Sequence, residues 1–269
     1  GNDNGNSPTV DQGSNGGDAV AKITIDESLS SVALGKLTVT AYGGANGSAY
    51  QGTAGTAGAA TAYGLQLKHD LSISVADIYV KAETRNSEKN TVVNNNTRPQ
   101  ALAVGVQFDG GKVSFTGTTM SVSVRGVSGS SVLVDGTTIT ADLDGVAVES
   151  YGFRVQDGEA TIRMTDKISF SDTFGGAGDS LAGVVGSGVT GGNGGEMTVF
   201  GVEVNGGIAH LDLLDIGIDP SNYFSGGNGG SGQSIDGTAA DRAGTGGEGG
   251  KATVASIHTA GGSVDGTVG

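Results

Sequence analysis

The sequence predicts an all-β fold, a β-solenoid of parallel β-helix type with glycine-rich inserts. Three observations carry that prediction. Short apolar segments alternate with polar residues at period two, the mark of a strand with one buried face. Those segments recur in a fixed order along the chain. Glycine supplies 52 of 269 residues, against only three prolines, so the excess is not collagen-like.

The recurring segments come first. Tyr63-Gly64-Leu65-Gln66-Leu67, Val104-Gly105-Val106-Gln107-Phe108, Tyr151-Gly152-Phe153-Arg154-Val155 and Phe200-Gly201-Val202-Glu203-Val204 share one form: apolar, glycine, apolar, polar, apolar. Their glycines are 41, 47 and 49 residues apart. A second alternating run follows each copy: Leu71–Ile73, Val113–Phe115, Ala160–Ile162 and Ile208–Leu211. A third run follows that one: Ile78–Val80, Met120–Val124, Ile168–Phe170 and Leu214–Ile218. Weaker versions stand at Ala19–Ile25 and Ala252–Ile257. Three short strands per copy, joined by brief turns, describe a flattened triangular coil that can stack on its neighbours. Asp-Gly, present at residues 109, 135, 144, 157, 236 and 265, suits the corners because glycine accepts positive φ.

One elongated repeat domain is therefore expected over residues 1–269, with units starting near 19, 61, 102, 150, 198 and 253. Each repeat is longer than three short strands require, and the surplus falls in inserts. Residues 81–100 read as a polar surface loop. Residues 43–58, 175–195 and 226–250 are glycine-rich, with 6, 10 and 11 glycines. Glycine recurs there at every third position: 52/55/58, 188/191/194, 226/229/232 and 244/247/250. Period three is the turn of a polyproline-II-type helix, which makes no internal hydrogen bonds. Glycine along one edge lets a second backbone approach, so free N–H and C=O groups can pair between helices. Ordered polyglycine-type helices are the favoured reading, with packed irregular loops and then a plain flexible linker as the alternatives.

Composition narrows the function. The formal net charge is −14 and the pI about 4.4, which argues against nucleic acid or an anionic membrane as partner. No apolar run is long enough for a membrane span. Without cysteine there is neither a disulfide nor thiolate chemistry. The opening at Gly1, with no signal-peptide pattern, and the interior-like Gly16-Gly17 and Val268-Gly269 suggest a mature or excised piece of a longer protein.

Chemical motifs are sparse. His69, His210 and His258 are scattered and show no metal-ligand spacing. Gly183–Gly188 has the wrong order for a serine nucleophile elbow. Asp142 and Asp144 alternate on one strand face, and Asp212 would meet a neighbour one coil away. Paired carboxylates are what glycosidic cleavage requires, yet the adjacent aspartates, Gly-His-Gly and Arg-x-Lys of polygalacturonase-like enzymes do not occur. No enzyme activity, catalytic residue or cofactor is expected. Gly175–Asp179 places its aspartate one residue early for a toxin-type calcium repeat, and weak calcium binding at acidic corners stays open without an assigned metal site. The sequons at Asn46 and Asn95 are read as incidental.

The form Tyr-Gly-apolar-x-apolar, followed by Asp109-Gly110-Gly111 or Asn205-Gly206-Gly207 and a Ser/Thr-rich strand, resembles bacterial autotransporter and adhesin passenger domains over roughly residues 60–218. The glycine-rich inserts resemble the polyglycine sandwiches of some phage tail-fibre adhesins and of glycine-rich antifreeze proteins. The resemblance implies a secreted, elongated, cell-surface protein. The leading expectation is a structural module of an extracellular fibre, matrix or surface adhesin that associates with itself end to end. The alternatives are a glycan- or receptor-binding adhesin, using Tyr42, Tyr50, Tyr223 or Phe224 beside the glycine-rich segments, then an ice binder, then a β-helix polysaccharide lyase or hydrolase. For ice binding, the pairs Thr38/Thr40 and Thr138/Thr140 do not repeat in register.

Overall fold

A computed structural model describes residues 16–25, 28–45, 53–54, 57–85, 92–93, 100–128, 144–178, 192–217, 226–229 and 247–268. The described residues contain strands and no helix. The strands are β1 (Ala19–Thr24), β2 (Ser31–Tyr42), β3 (Thr53–Ala54), β4 (Ala60–Leu67), β5 (Leu71–Glu83), β6 (Val92–Val93), β7 (Ala101–Arg125), β8 (Val148–Phe174), β9 (Met197–Val204), β10 (Ile208–Gly217), β11 (Ala252–Thr259) and β12 (Ser263–Val268).

Every pairing is parallel and joins one repeat to the next. β1, β4, β7, β8, β9 and β11 pair in that order, and so do β2, β5, β7, β8, β10 and β12. The sheet is a stack of six tiers and is not closed. The repeat positions lie on top of one another: Tyr63, Val104, Tyr151 and Phe200 share one column. Leu71, Val113 and Ala160 share a second, continued by Ala209. The sequence separates the second and third runs, but the structure carries both on one strand. A register break between Gly117 and Met120, and between Leu213 and Asp215, marks the bend where they meet. Ile218, at the end of the last third run, lies outside the described residues.

Alternate residues of each first strand point inward and form columns. Ala60, Ala101, Val148 and Met197 make one; Leu65, Val106, Phe153 and Val202 make another. All of these are buried. Phe108, Phe115 and Phe153 meet at the centre with ring centroids 5.3–6.5 Å apart. Each such side chain contributes about 1.5–3 kcal/mol by leaving water.

Two glycine columns let the tiers close up. A Cβ on Gly64, Gly105, Gly152 or Gly201 would run into the carbonyl oxygen of the next tier: Gly105, Gly152, Gly201 and Ser256 in turn. Gly111 within β7, Gly158 within β8, Gly207 between β9 and β10 and Gly262 between β11 and β12 hold φ between +72° and +81° and stack on one another. Only glycine adopts that conformation without strain.

The glycine-rich inserts contribute a further ladder where they enter and leave the tiers. Val146 N–H donates to Val127 C=O (3.1 Å), Gly176 to Val146 (2.9 Å), Gly195 to Gly176 (2.7 Å), Gly227 to Gly195 (2.9 Å) and Gly250 to Gly227 (2.8 Å). The bonds alternate between a segment leaving a tier and a segment entering the next. Gly44 to Gly17 and Gly58 to Gly44, both 2.8 Å, form the same arrangement at the first tiers. The second tier carries the polar insert instead, and Thr84 stands where the others have glycine. Its Oγ1 accepts the Val127 N–H at 3.0 Å, supplying with a side chain what the carbonyls supply elsewhere. The polar insert also differs from the plain loop expected. Lys81–Glu83 extend β5, and Val92–Val93 pair with Thr53–Ala54 of the preceding glycine-rich insert.

Candidate functional site on the outer face

The face of the first strands turned away from the core carries two adjacent columns. The polar position of the repeat gives Gln66, Gln107, Arg154, Glu203 and His258. The aromatic position gives Tyr63, Val104, Tyr151, Phe200 and Ala255. Val104, Tyr151 and Phe200 are buried in a cluster of their own, with Tyr63, Leu102 and Ala255 packed against it, apart from the main core.

The polar column is stitched across tiers. Gln66 Nε2 and Gln107 Nε2 each donate to one oxygen of Asp109 at 2.6 Å. Arg154 Nε donates to Glu203 Oε2 at 2.6 Å, and Asn205 Nδ2 donates to the same oxygen at 2.9 Å. The Arg154 guanidinium lies 4.5 Å from the Tyr151 ring centroid, and the Tyr151 hydroxyl donates to Glu149 Oε2 at 3.0 Å. Tyr151 meets Phe200 edge to face at 5.9 Å, and Phe200 stacks on His258 at 4.3 Å. Burial, followed by the nearby charges of Glu149 and Glu203, raises the Tyr151 hydroxyl well above the ordinary tyrosine range. Burial raises Tyr63 as well.

A second, more exposed row runs through Lys112 of β7, Glu159 of β8, His210 of β10 and Asp265 of β12. Lys112 Nζ sits 2.9 Å from Glu159, His210 Nε2 lies 3.7 Å from Glu159, and His210 Nδ1 lies 2.6 Å from Asp265. The hydrogen bond from Lys112 holds the Glu159 carboxyl below the usual range.

Gln66–Asp109, Arg154–Glu203, Tyr151–Phe200, Phe200–His258, Lys112–Glu159, His210–Glu159 and His210–Asp265 join residues more than forty positions apart, so these contacts act as cross-ties along the stack. Asp109 and Glu203 are both engaged as acceptors. Charge-assisted bonds of this length are the stronger kind. Among the described residues, no group of three or more His, Asp or Glu side chains is placed to hold a metal ion.

The residues singled out in the sequence are dispersed. His69 Nε2 lies 3.3 Å from Leu29 C=O, at a turn. Asp144 accepts the Asn193 N–H at 2.6 Å, anchoring a glycine-rich segment. Asp212 faces Arg163 at 3.3 Å. Thr38 and Thr40 stack on Tyr79 and Lys81, so no threonine column continues them. Tyr42 is exposed, with Arg85 3.8 Å from its ring centroid. Asp142, Asp179, Tyr50, Tyr223, Phe224, Asn46, Asn95, Thr138, Thr140 and the Gly183–Gly188 stretch lie outside the described residues. The outer ladder itself goes unremarked in the sequence reading, although a signal exists. Arg154 and Glu203 occupy the same place in successive repeats, so stacking the repeats pairs them.

No protein-family model, curated protein or solved structure matches the chain.

Proposed function

We propose that the chain is a β-solenoid of parallel β-helix type, flanked by glycine segments packed as polyglycine-type helices. In this reading it serves as a structural module of an extracellular fibre, matrix or surface adhesin that joins to its neighbours end to end. The observation that carries it is the state of the outermost tiers. Among the described residues, no strand pairs with the outer edges of β1 and β2, or of β11 and β12. Val254 and Ile257 are 40% and 36% exposed, whereas Val199 and Val202, directly behind them in register, are fully buried. A parallel stack with open edges and uncovered core residues favours further stacking, since the free N–H and C=O groups and the apolar ends both gain a partner.

Light scattering behind a size-exclusion column, together with negative-stain images of the purified chain, tests this. Rods or chains that lengthen with concentration are expected. Compact monomers at every concentration would overturn the proposal.

A second reading, a glycan-binding adhesin module, is favoured by Tyr42. Its exposed ring lies beside two cations, Arg85 and Lys81, a combination that suits an acidic sugar. A glycan array comparing the natural chain with Tyr42→Ala tests it, because the variant removes the ring while leaving the backbone N–H and C=O groups of the β2 edge unchanged.

A further inference from the structure

Five backbone hydrogen bonds climb the stack at one fixed position. Ala19 N–H donates to Ala59 C=O at 2.9 Å, Ala60 to Gln100 at 3.1 Å, Ala101 to Ala147 at 3.4 Å, Val148 to Glu196 at 2.9 Å and Met197 to Lys251 at 2.8 Å. Each donor is the first residue of its strand, and each acceptor stands just before the strand on the next tier. The series therefore has a direction. At the last tier the next donor is Ala252, which opens β11, and at the first tier the residue just before β1 is Asp18. Among the described residues no strand pairs beyond β11 or beyond β1. The Ala252 N–H is thus turned away from the stack at one end, and the Asp18 C=O at the other. Successive residues of a parallel ladder serve opposite neighbours, so the N–H of Val20, one residue after Ala19, is also turned outward.

Resting on the end-to-end reading above, we infer that the neighbour is a second copy of this chain, joined head to tail. β11 and β12 of one copy carry β1 and β2 of the next as a further tier. Ala252 N–H donates to Asp18 C=O of the second copy, and Val20 N–H of that copy donates back to Ala252 C=O. Continuing the register by one tier lays Val254 over Ala21 and Val268 over Leu34. Val254 and Val268 are each 40% exposed, and Ala21 and Leu34 pack on the core while only partly buried. The joint covers all four, which favours it. Lys251 comes to lie on Asp18, two exposed residues of opposite charge.

Like ends do not fit one another in this way. A two-fold axis between two copies of one end runs the chain in opposite senses around the two coils. The joint is then antiparallel, whereas every pairing within the stack is parallel. It also lays each outline on its mirror image, so the ladder of glycine segments, which stands on one side of the first strands, finds no counterpart. A joint of unlike ends leaves one end of each kind free and generates an open chain of copies.

Two proline variants test the polarity. Ala252→Pro removes the outward N–H of the last tier and Val20→Pro that of the first, and a proline at such an edge position blocks further pairing without breaking the sheet. The comparison is made by light scattering at a concentration where the natural chain forms rods, with circular dichroism to establish that the variants fold. Each variant alone is expected to stay monomeric, its association weakened at least about tenfold. An equal mixture of the two is expected to form dimers, because only the mixture offers one intact end of each kind. Where a proline variant fails to fold, Lys251→Glu takes its place. Rod growth weakened roughly 2- to 5-fold at low salt then supports the joint, and unchanged growth overturns it. Dimers formed by either proline variant on its own overturn the head-to-tail joint and leave the end-to-end reading standing. A mixture that stays monomeric also overturns the joint. A natural chain that is monomeric at every concentration overturns the end-to-end reading, and the joint with it.

Discussion

The N–H of Gly195 donates to the carbonyl of Gly176 at 2.7 Å, joining the segment that enters the fifth tier to the one that leaves the fourth. A Cβ on Gly195 would overlap the carbonyl of Val146, and one on Gly176 the carbonyl of Val127. The ladder therefore depends on bare backbone packed against bare backbone. Gly176→Ala and Gly195→Ala are expected to cost roughly 1–3 kcal/mol each, the usual range for forcing atoms into a filled space. Gly35→Ala, whose Cβ would meet open space, is expected to be neutral or slightly stabilising. Urea titration followed by circular dichroism measures all three. Equal effects at positions 35 and 195 would count against close packing in the ladder.

The centre of the core offers a second measurement. Phe153 is buried and touches the rings of Phe108 and Phe115. Phe153→Ala is expected to destabilise the chain by about 3–5 kcal/mol, from lost burial and the cavity left behind. Thermal unfolding of the variant beside Val20→Ala, a change on an exposed side chain, checks the contrast.

The outer face can be tested by a double-mutant cycle. Arg154 and Glu203 form a short, largely buried ion pair across two tiers. Removing either partner alone leaves the other charge partly buried, a condition that is costly. Arg154→Met and Glu203→Gln, singly and together, are expected to show a coupling of roughly 0.5–3 kcal/mol. Additive effects would mean that the two charges do not cooperate.

Tyr151 gives an alkaline signature. Its hydroxyl ionises at higher pH in the folded chain than the ordinary tyrosine value of about 10. Above that value the unfolded chain has lost its proton while the folded chain keeps it. The unfolded state then binds fewer protons, and stability falls as pH rises from about 10 toward the folded value. Spectrophotometric titration should show Tyr63 and Tyr151 ionising late, and Tyr151→Phe should remove one of the two late steps. Lys81 contributes in the same direction, because its bond to Glu83 raises its pKa. The ultraviolet signal separates the two.

Much of the strand pattern could be read from residue order. The form shared by the segments around Gly64, Gly105, Gly152 and Gly201 marks one column of the sheet, and its alternation separates inward Leu65 and Phe153 from outward Gln66 and Arg154. That works because period two is a local property of the extended chain. The fusion of the second and third runs into single strands was not legible. It depends on Gly117 and Met120 finding register with residues on neighbouring tiers. The role of Thr84 was equally hidden, since a lone threonine in a polar stretch gives no sign that its hydroxyl will stand in for a carbonyl.

By itself, then, the sequence determined the period, the inward and outward faces, and the triplet spacing of glycine, because these follow from backbone geometry and side-chain chemistry a few residues at a time. Only the tertiary structure decided which repeats lie in contact. Arg154 meets Glu203, Phe200 meets His258, and His210 meets Asp265 because parallel stacking carries residues some fifty positions apart to within a few ångströms, at a distance no local pattern encodes.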